Sequence, residues 1–325
     1  MKNLTDLKRR LSVSSITIVL VALLVGFSQN VAMKVVLTAV IALLSAVALW
    51  EYANLSFAKE IKIAKNTMMI FGVLQVIASY IAIQFPKYSL LSLMVIIVAG
   101  FFFFLAHFKN PSDALANVAT GFFGVCYIAV PLSFMLEILY VQGSSLFPAY
   151  QMQDGRWWFI YLLLVTKITD VGAYFVGRLW GKHRLAPRLS PKKTVEGAIA
   201  GLAAAVFLSL AICLFAKRFF PEHFDISLLS ALLLGSALGV FGQLGDLAES
   251  LFKRDADFKD SNKLPGLGGI LDMVDSLLFT TPIVYCFLRL DLSRALLCLC
   301  TGNKHRHPRL YLLKSIIKTS CAFWK

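Results

Sequence analysis

The sequence predicts an all-α polytopic membrane protein with about nine transmembrane helices. Of its 325 residues, 58% are hydrophobic and 15% charged, whereas soluble domains are nearer half apolar and a quarter charged. Its mean hydropathy is +0.74. Apolar runs of the length that crosses hydrocarbon, about 20 residues, recur along most of the chain. A disordered chain, a coiled coil and a soluble two-domain enzyme are all poor fits. Lys and Arg outnumber Asp and Glu by 32 to 18, a formal charge of +14. In a membrane protein such an excess reflects basic cytoplasmic loops and contact with anionic lipid or phosphate, so no nucleic-acid partner is expected.

The first candidate span, 11–29, follows Lys8, Arg9 and Arg10. It has no small-residue cleavage site and a second apolar run close behind it, so it reads as a span and not as a signal peptide. Spans 35–51 and 68–85 flank a loop carrying Lys59, Lys62 and Lys65. Spans 90–108 and 118–138 follow, joined by short or nearly neutral connections. Span 157–177 leads into Arg178, Lys182, Arg184, Arg188, Lys192 and Lys193. Span 197–216 opens with small residues at 197, 201 and 203–205, which permit close helix packing. Span 226–245 leads into Lys253, Arg254, Lys259 and Lys263, and 269–288 is the last. Only helices suit these runs, because lipid offers no water to satisfy open backbone groups. With nine spans, the basic N-terminus and the three basic loops all fall on one face, which the positive-inside rule makes cytoplasmic. The tail from Arg289 to Lys325 has eight basic residues against the single Asp291, yet nine spans put it on the other face. Its segment 309–318 has the pattern of an interfacial amphipathic helix. The chain therefore divides into residues 1–138, residues 139–288 with the basic loops, and the basic tail 289–325. Six cysteines, at 126, 213, 286, 298, 300 and 321, match no disulfide or zinc pattern and read as buried small apolar residues.

Carboxylates at span edges carry most of the functional information, since an intramembrane acid is costly unless it faces a cavity, a partner or a metal. Asp272 and Asp275 open the last span at a spacing of three, on one helix face. Two carboxylates so close repel unless a cation lies between them. Asp246, near the end of the preceding span, is a third candidate, and the set could supply oxygen ligands to a hard divalent ion such as Mg²⁺. The competing reading is that these acids cap helices or pair with Lys253 and Arg254. Glu249, Asp255 and Asp257 read as solvated loop charges.

Two loops look suited to phosphate. One runs from Ser250 through Lys253, Arg254, Lys259 and Asp260 to Pro265-Gly266-Leu267-Gly268-Gly269, where a glycine turn opens a helix. The other runs from Thr169-Asp170 to Ser190-Pro191-Lys192-Lys193-Thr194-Val195-Glu196-Gly197. There the lysines bring charge, and Ser190 or Thr194 can donate hydrogen bonds or cap the next helix. A plain basic loop would look much the same. No P-loop or dinucleotide fingerprint is present, and no histidine lies near a candidate serine, so a Ser-His-Asp system has no support.

The run from Ser250 to Asp275 resembles the signature of the phosphatidate cytidylyltransferases, or CDP-diacylglycerol synthases, and Thr169 to Gly197 is similar to that family's second motif. The resemblance extends to about Leu288. Leu267 stands where the family has His, Met273 where it has Arg, and the stretch from Asp260 to Pro265 is one residue short. The resemblance implies a transfer from CTP to phosphatidate at the cytoplasmic interface of the cell (inner) membrane, with Mg²⁺ as cofactor and room for a second cation. By position, Asp246, Asp272 and Asp275 resemble the metal-centre acids and, with Lys253, are the catalytic candidates. Lys192, Lys193, Lys253, Arg254 and Lys259 would hold phosphates, with Ser190 and Thr194 as supporting donors. Asp260, Gly268 and Gly269 would complete the substrate loop, and Asp170 would orient the basic loop or contact substrate. A homodimer is compatible with the resemblance. Two alternatives stay open: another CTP-dependent membrane lipid enzyme, such as a polyprenol kinase, and an ion-coupled transporter, whose acids would lie nearer the midplane.

Overall fold

The computed structural model describes residues 21–108, 112–141, 153–257 and 269–290. Among them are eight helices long and apolar enough to cross a membrane. They are α1 (Val31–Ala58), α2 (Lys65–Gln84), α3 (Leu91–His107), α4 (Ala114–Leu139), α5 (Gly155–Trp180), α6 (Val195–Phe219), α7 (Leu228–Asp255) and α8 (Ile270–Arg289). They answer to the second to ninth expected spans. Of the first, residues 21–26 are helical and residues up to 20 lie outside the described residues, as does the tail from 291 onward. The chain is an integral membrane protein of helices, with one short hairpin as its only sheet among the described residues.

The outer faces carry exposed Leu, Ile and Phe, most of all on α3, where Leu93, Ile97, Phe101 and Phe104 point away from the bundle. Lipid is as apolar as these side chains, so burial does little to drive the helices together and close approach at small residues matters more. Gly201 of α6 faces Thr169 and Ala173 of α5, and Gly235 of α7 faces Ser209 of α6. A Cβ at Gly235 would stand 2.6 Å from the Ser209 Cβ. The same logic joins α7 to α8 at Gly245, where the site lies.

Helix α4 contains one π-turn, Val125–Ala129, just before Pro131. Proline has no N–H, and its ring collides with the carbonyl four residues back, so a wider turn relieves the crowding. That carbonyl belongs to Tyr127, whose side chain is thereby turned towards α7 and α8: its ring meets Phe252 and Phe279 edge-on.

The loop expected between spans six and seven is an antiparallel hairpin, β1 (Arg184–Ala186) and β2 (Ser190–Thr194). Glu196 holds its base, accepting hydrogen bonds from the Lys182 and His183 backbone N–H groups at 3.1 and 3.2 Å. The Thr194 hydroxyl accepts from the Gly197 N–H at 3.2 Å and so caps α6, as its sequence position suggested. The three basic connections meet at one end of the bundle. There Lys59 pairs with Asp255 at 3.4 Å, and Arg254 donates to the Leu189 carbonyl at 3.1 Å. At the other end Asp154 donates its N–H to the His223 carbonyl, and Arg156 reaches the Gly26 carbonyl.

One detail differs from expectation. Cys213 is buried, but Cys126 is half-buried and Cys286 exposed. A thiol is small and only weakly polar, so in a lipid-embedded bundle it sits in apolar surroundings whether buried or at the surface.

Candidate active site

Asp246 and Glu249 stand three apart on α7, and Asp275 projects from α8. One carboxylate oxygen from each lies within 4.8 Å of the other two, the only such group of three among the described residues. The backbones must be close for this. A Cβ on Gly245 would sit 2.5 Å from the Asp275 carbonyl oxygen and 3.0 Å from the Ser276 Cα. Glycine beside Asp246 is therefore what lets the two acid-bearing helices touch.

Three lysines surround these acids. Lys193, at the end of the hairpin, pairs with Asp246 at 2.6 Å. Lys253 is buried between Glu249 at 2.8 Å and Asp272 at 2.5 Å. Lys167, from the middle of α5, lies 3.4 Å from Asp170 and donates to the Ser276 hydroxyl at 3.2 Å. Buried charges survive only when paired and hydrogen-bonded, and this arrangement gives the acids cations at close range. One oxygen stands apart: Glu249 Oε1 is buried without a hydrogen-bond partner. Tyr127 Oη is likewise buried without a hydrogen-bond partner, its ring set against Phe252 and Phe279 of the two acid-bearing helices. Three carboxylates, each with an oxygen within 4.8 Å of the other two, make an all-oxygen donor set that fits a hard divalent cation.

The site is braced from the other half of the chain. Glu51 of α1, fully buried, accepts hydrogen bonds from the Ile270 and Leu271 N–H groups at 3.0 and 2.8 Å. It thus caps the first turn of α8, where a carboxylate also answers the positive end of the helix dipole.

The structure brings together six of the fourteen site residues expected from the sequence. Asp170, Lys193, Asp246, Lys253, Asp272 and Asp275 meet at one locus. Arg254 and Ser190 lie beside it on α7 and the hairpin, Lys192 is exposed on the hairpin, and Gly269 precedes α8. Lys259, Asp260 and Gly268 lie outside the described residues. Asp272 stands on Lys253 and outside the three-oxygen group, whose third member is Glu249. Glu249 is a correction, because it is 2% exposed and ion-paired where a solvated loop charge was expected. Helix α7 runs ten residues past the expected span, so Glu249 stays helical and faces inward one turn after Asp246. Glu51 and Lys167 were also missed, although each is a charged residue inside an apolar run. Tyr127 gave no sequence signal, because its aim depends on the π-turn.

A profile described as the cytidylyltransferase family matches residues 8–291. The chain belongs to the cytidylyltransferase family. It is 32% identical over 294 residues to a protein of Chlamydia pneumoniae named phosphatidate cytidylyltransferase, covering 89% of this chain and 94% of that one. A protein of the same name from Chlamydia trachomatis serovar D is 39% identical over 185 residues, 56% of this chain and 58% of its own. One from Staphylococcus haemolyticus is 40% identical over 155 residues, 47% of this chain and 57% of its own. The motif resemblance is therefore borne out, and this cytidylyltransferase-family chain is a nucleotidyltransferase.

Proposed function

We propose that the chain is a phosphatidate cytidylyltransferase, converting CTP and phosphatidate to CDP-diacylglycerol and pyrophosphate for phospholipid synthesis. A phosphatidate oxygen attacks the α-phosphorus of CTP, and the bond from that phosphorus to the bridging oxygen of the pyrophosphate breaks. The nucleophile is a phosphate monoester, already anionic near neutral pH. The protein therefore needs no activated serine or histidine; it must neutralise charge, align the reactants and stabilise the leaving group. The observation that carries this reading is the group of acids Asp246, Glu249 and Asp275 ringed by Lys167, Lys193 and Lys253.

In this reading Asp246, Glu249 and Asp275 hold Mg²⁺, which when bound draws charge off phosphate oxygens. Asp272 positions Lys253. Lys193 and Lys253 turn from their carboxylates to the phosphates of CTP, with Lys192, Arg254 and Lys259 extending the positive surface. Ser190, Asp260, Gly268 and Gly269 line the nucleotide side, and the hairpin braced by Glu196 fixes where Lys192 and Lys193 point. Residues 139–288 carry the chemistry, while 1–138 contribute Glu51 and Tyr127 to its support. The basic end of the bundle faces the cytoplasm of the inner membrane, where CTP is available.

Purified protein in detergent, given phosphatidate, Mg²⁺ and cytidine-labelled CTP, is expected to release one pyrophosphate per CDP-lipid. EDTA and Asp246→Asn should each abolish both products. Lipid labelling without matching pyrophosphate, or full activity in EDTA, would overturn the reading.

A further inference from the structure

Lys167 differs from the other two lysines of the site. Its three polar contacts are long: 3.4 Å to Asp170, 3.4 Å to the Met273 carbonyl and 3.2 Å to the Ser276 hydroxyl. Strong ammonium–carboxylate bonds run at about 2.7–2.9 Å, and Lys193 at 2.6 Å and Lys253 at 2.8 and 2.5 Å are already engaged that closely or more so. Lys167 is also the most open, its side chain 46% exposed against 24% for Lys193 and 10% for Lys253.

Its position on α5 is informative. The exposed residues Ile160, Leu164, Lys167, Val171 and Tyr174 recur at intervals of three or four and so form one stripe along the helix. On a spanning helix such a stripe faces hydrocarbon, and Leu164 and Val171 lie one turn to either side of the lysine. A cation on that face near mid-helix is costly. The ammonium does not run along α5 to the helix end, as a snorkelling lysine would. It turns sideways to α8, beside the turn that carries Asp275. Lys167 therefore stands where the lipid-facing surface meets the catalytic centre.

We infer that Lys167 is the anchor for the phosphate of the lipid substrate, which enters sideways between α5 and α8 with its acyl chains along Leu164 and Ile160. The inference rests on the acceptor being a lipid phosphomonoester, as proposed above. The charges near the incoming phosphate are those of Asp170, Asp246 and Asp275 as well as Lys193. Lys167 is the one of these groups that joins the lipid face to the site, and the phosphate displaces Asp170 as its partner. CTP, arriving from water, takes Lys193 and Lys253 at the hairpin side. The two substrates thus have separate cationic anchors.

The test uses the full-length protein in detergent micelles, with dioctanoyl phosphatidate and CTP varied independently. Lys167→Gln keeps length and hydrogen bonding but removes the charge, and Lys167→Arg keeps the charge. Losing one charge-assisted contact should raise KM for phosphatidate about tenfold to a hundredfold in Lys167→Gln, leave KM for CTP within twofold, and be largely reversed in Lys167→Arg. Lys167→Met, should it fold, would behave as the Gln variant. An unchanged phosphatidate KM, an equal rise in the CTP KM, or a fall in kcat alone would overturn the inference while leaving the proposed reaction standing. Wild-type protein that makes no CDP-lipid would instead overturn the reaction, and the anchor with it.

Discussion

The contact between α7 and α8 at Gly245 makes a sharp prediction. In Gly245→Ala the new Cβ would lie 2.5 Å from the Asp275 carbonyl oxygen, where ordinary contact begins at 3.4 Å. The shortfall is about 0.9 Å, against backbone that no rotamer change can move, so the helices must separate by about that much. Displacements near 1 Å at a reacting centre cost on the order of 100-fold in rate, and overpacking of this kind costs about 1–3 kcal/mol of stability. Gly242→Ala, one turn earlier, is the matched control: its Cβ would meet Thr280, Thr166 and Ser276 side chains at 3.5, 3.7 and 4.0 Å, all ordinary contacts. We expect Gly245→Ala to be folded by size exclusion, to melt earlier, and to lose on the order of 100-fold in kcat. Gly242→Ala should stay within about threefold of wild type, because nothing must move. CDP-lipid formation and thermal unfolding, measured on both variants, give the answer. Equal activity in the two, or greater damage at 242, would refute the argument that this helix contact builds the site.

Other perturbations follow from the same geometry. Lys253→Met leaves Glu249 and Asp272 facing each other without their cation, and breaking a buried pair in this way costs about 3–5 kcal/mol; adding Glu249→Gln should recover part of the lost thermal stability but none of the activity. Glu51→Ala strips the cap from α8 and should cost about 1–2 kcal/mol, with reduced kcat although Glu51 touches no substrate; Glu51→Asp, one methylene shorter, should fall between. Adding Mg²⁺ should raise the unfolding temperature of wild-type protein and leave that of an Asp246→Asn, Asp275→Asn double variant unmoved, as binding to the native state alone requires.

Much of the fold could be read in advance, because span length and the cost of unpaired backbone in lipid admit so few structures. Eight of the expected spans are helices in place. Asp246, Asp275, Lys193 and Lys253 were legible as well, since charge at a span edge stands out against an apolar background. What failed to show was anything that depended on where helices end or how they turn. Glu249 looked solvated because the apolar run stops at 245, whereas α7 continues to Asp255 as an amphipathic helix with one face buried. The hairpin was hidden because SPKKT has no apolar alternation to mark a strand. Glu51 reaches its partners across a separation of 219 residues, beyond any local pattern. Lys167 was visible as a charge within a span, but its role depends on facing both lipid and α8, and only packing reveals that.

The most direct test of the central claim follows the phosphorus atoms of CTP. Wild-type protein in detergent would be given phosphatidate, Mg²⁺ and CTP carrying different isotopes at the α- and γ-positions. Nucleotidyl transfer predicts that the α-label appears in lipid and the γ-label in pyrophosphate, in equal amounts. Recovery of the γ-label in lipid, with CDP as the soluble product, would show a lipid kinase and contradict the account.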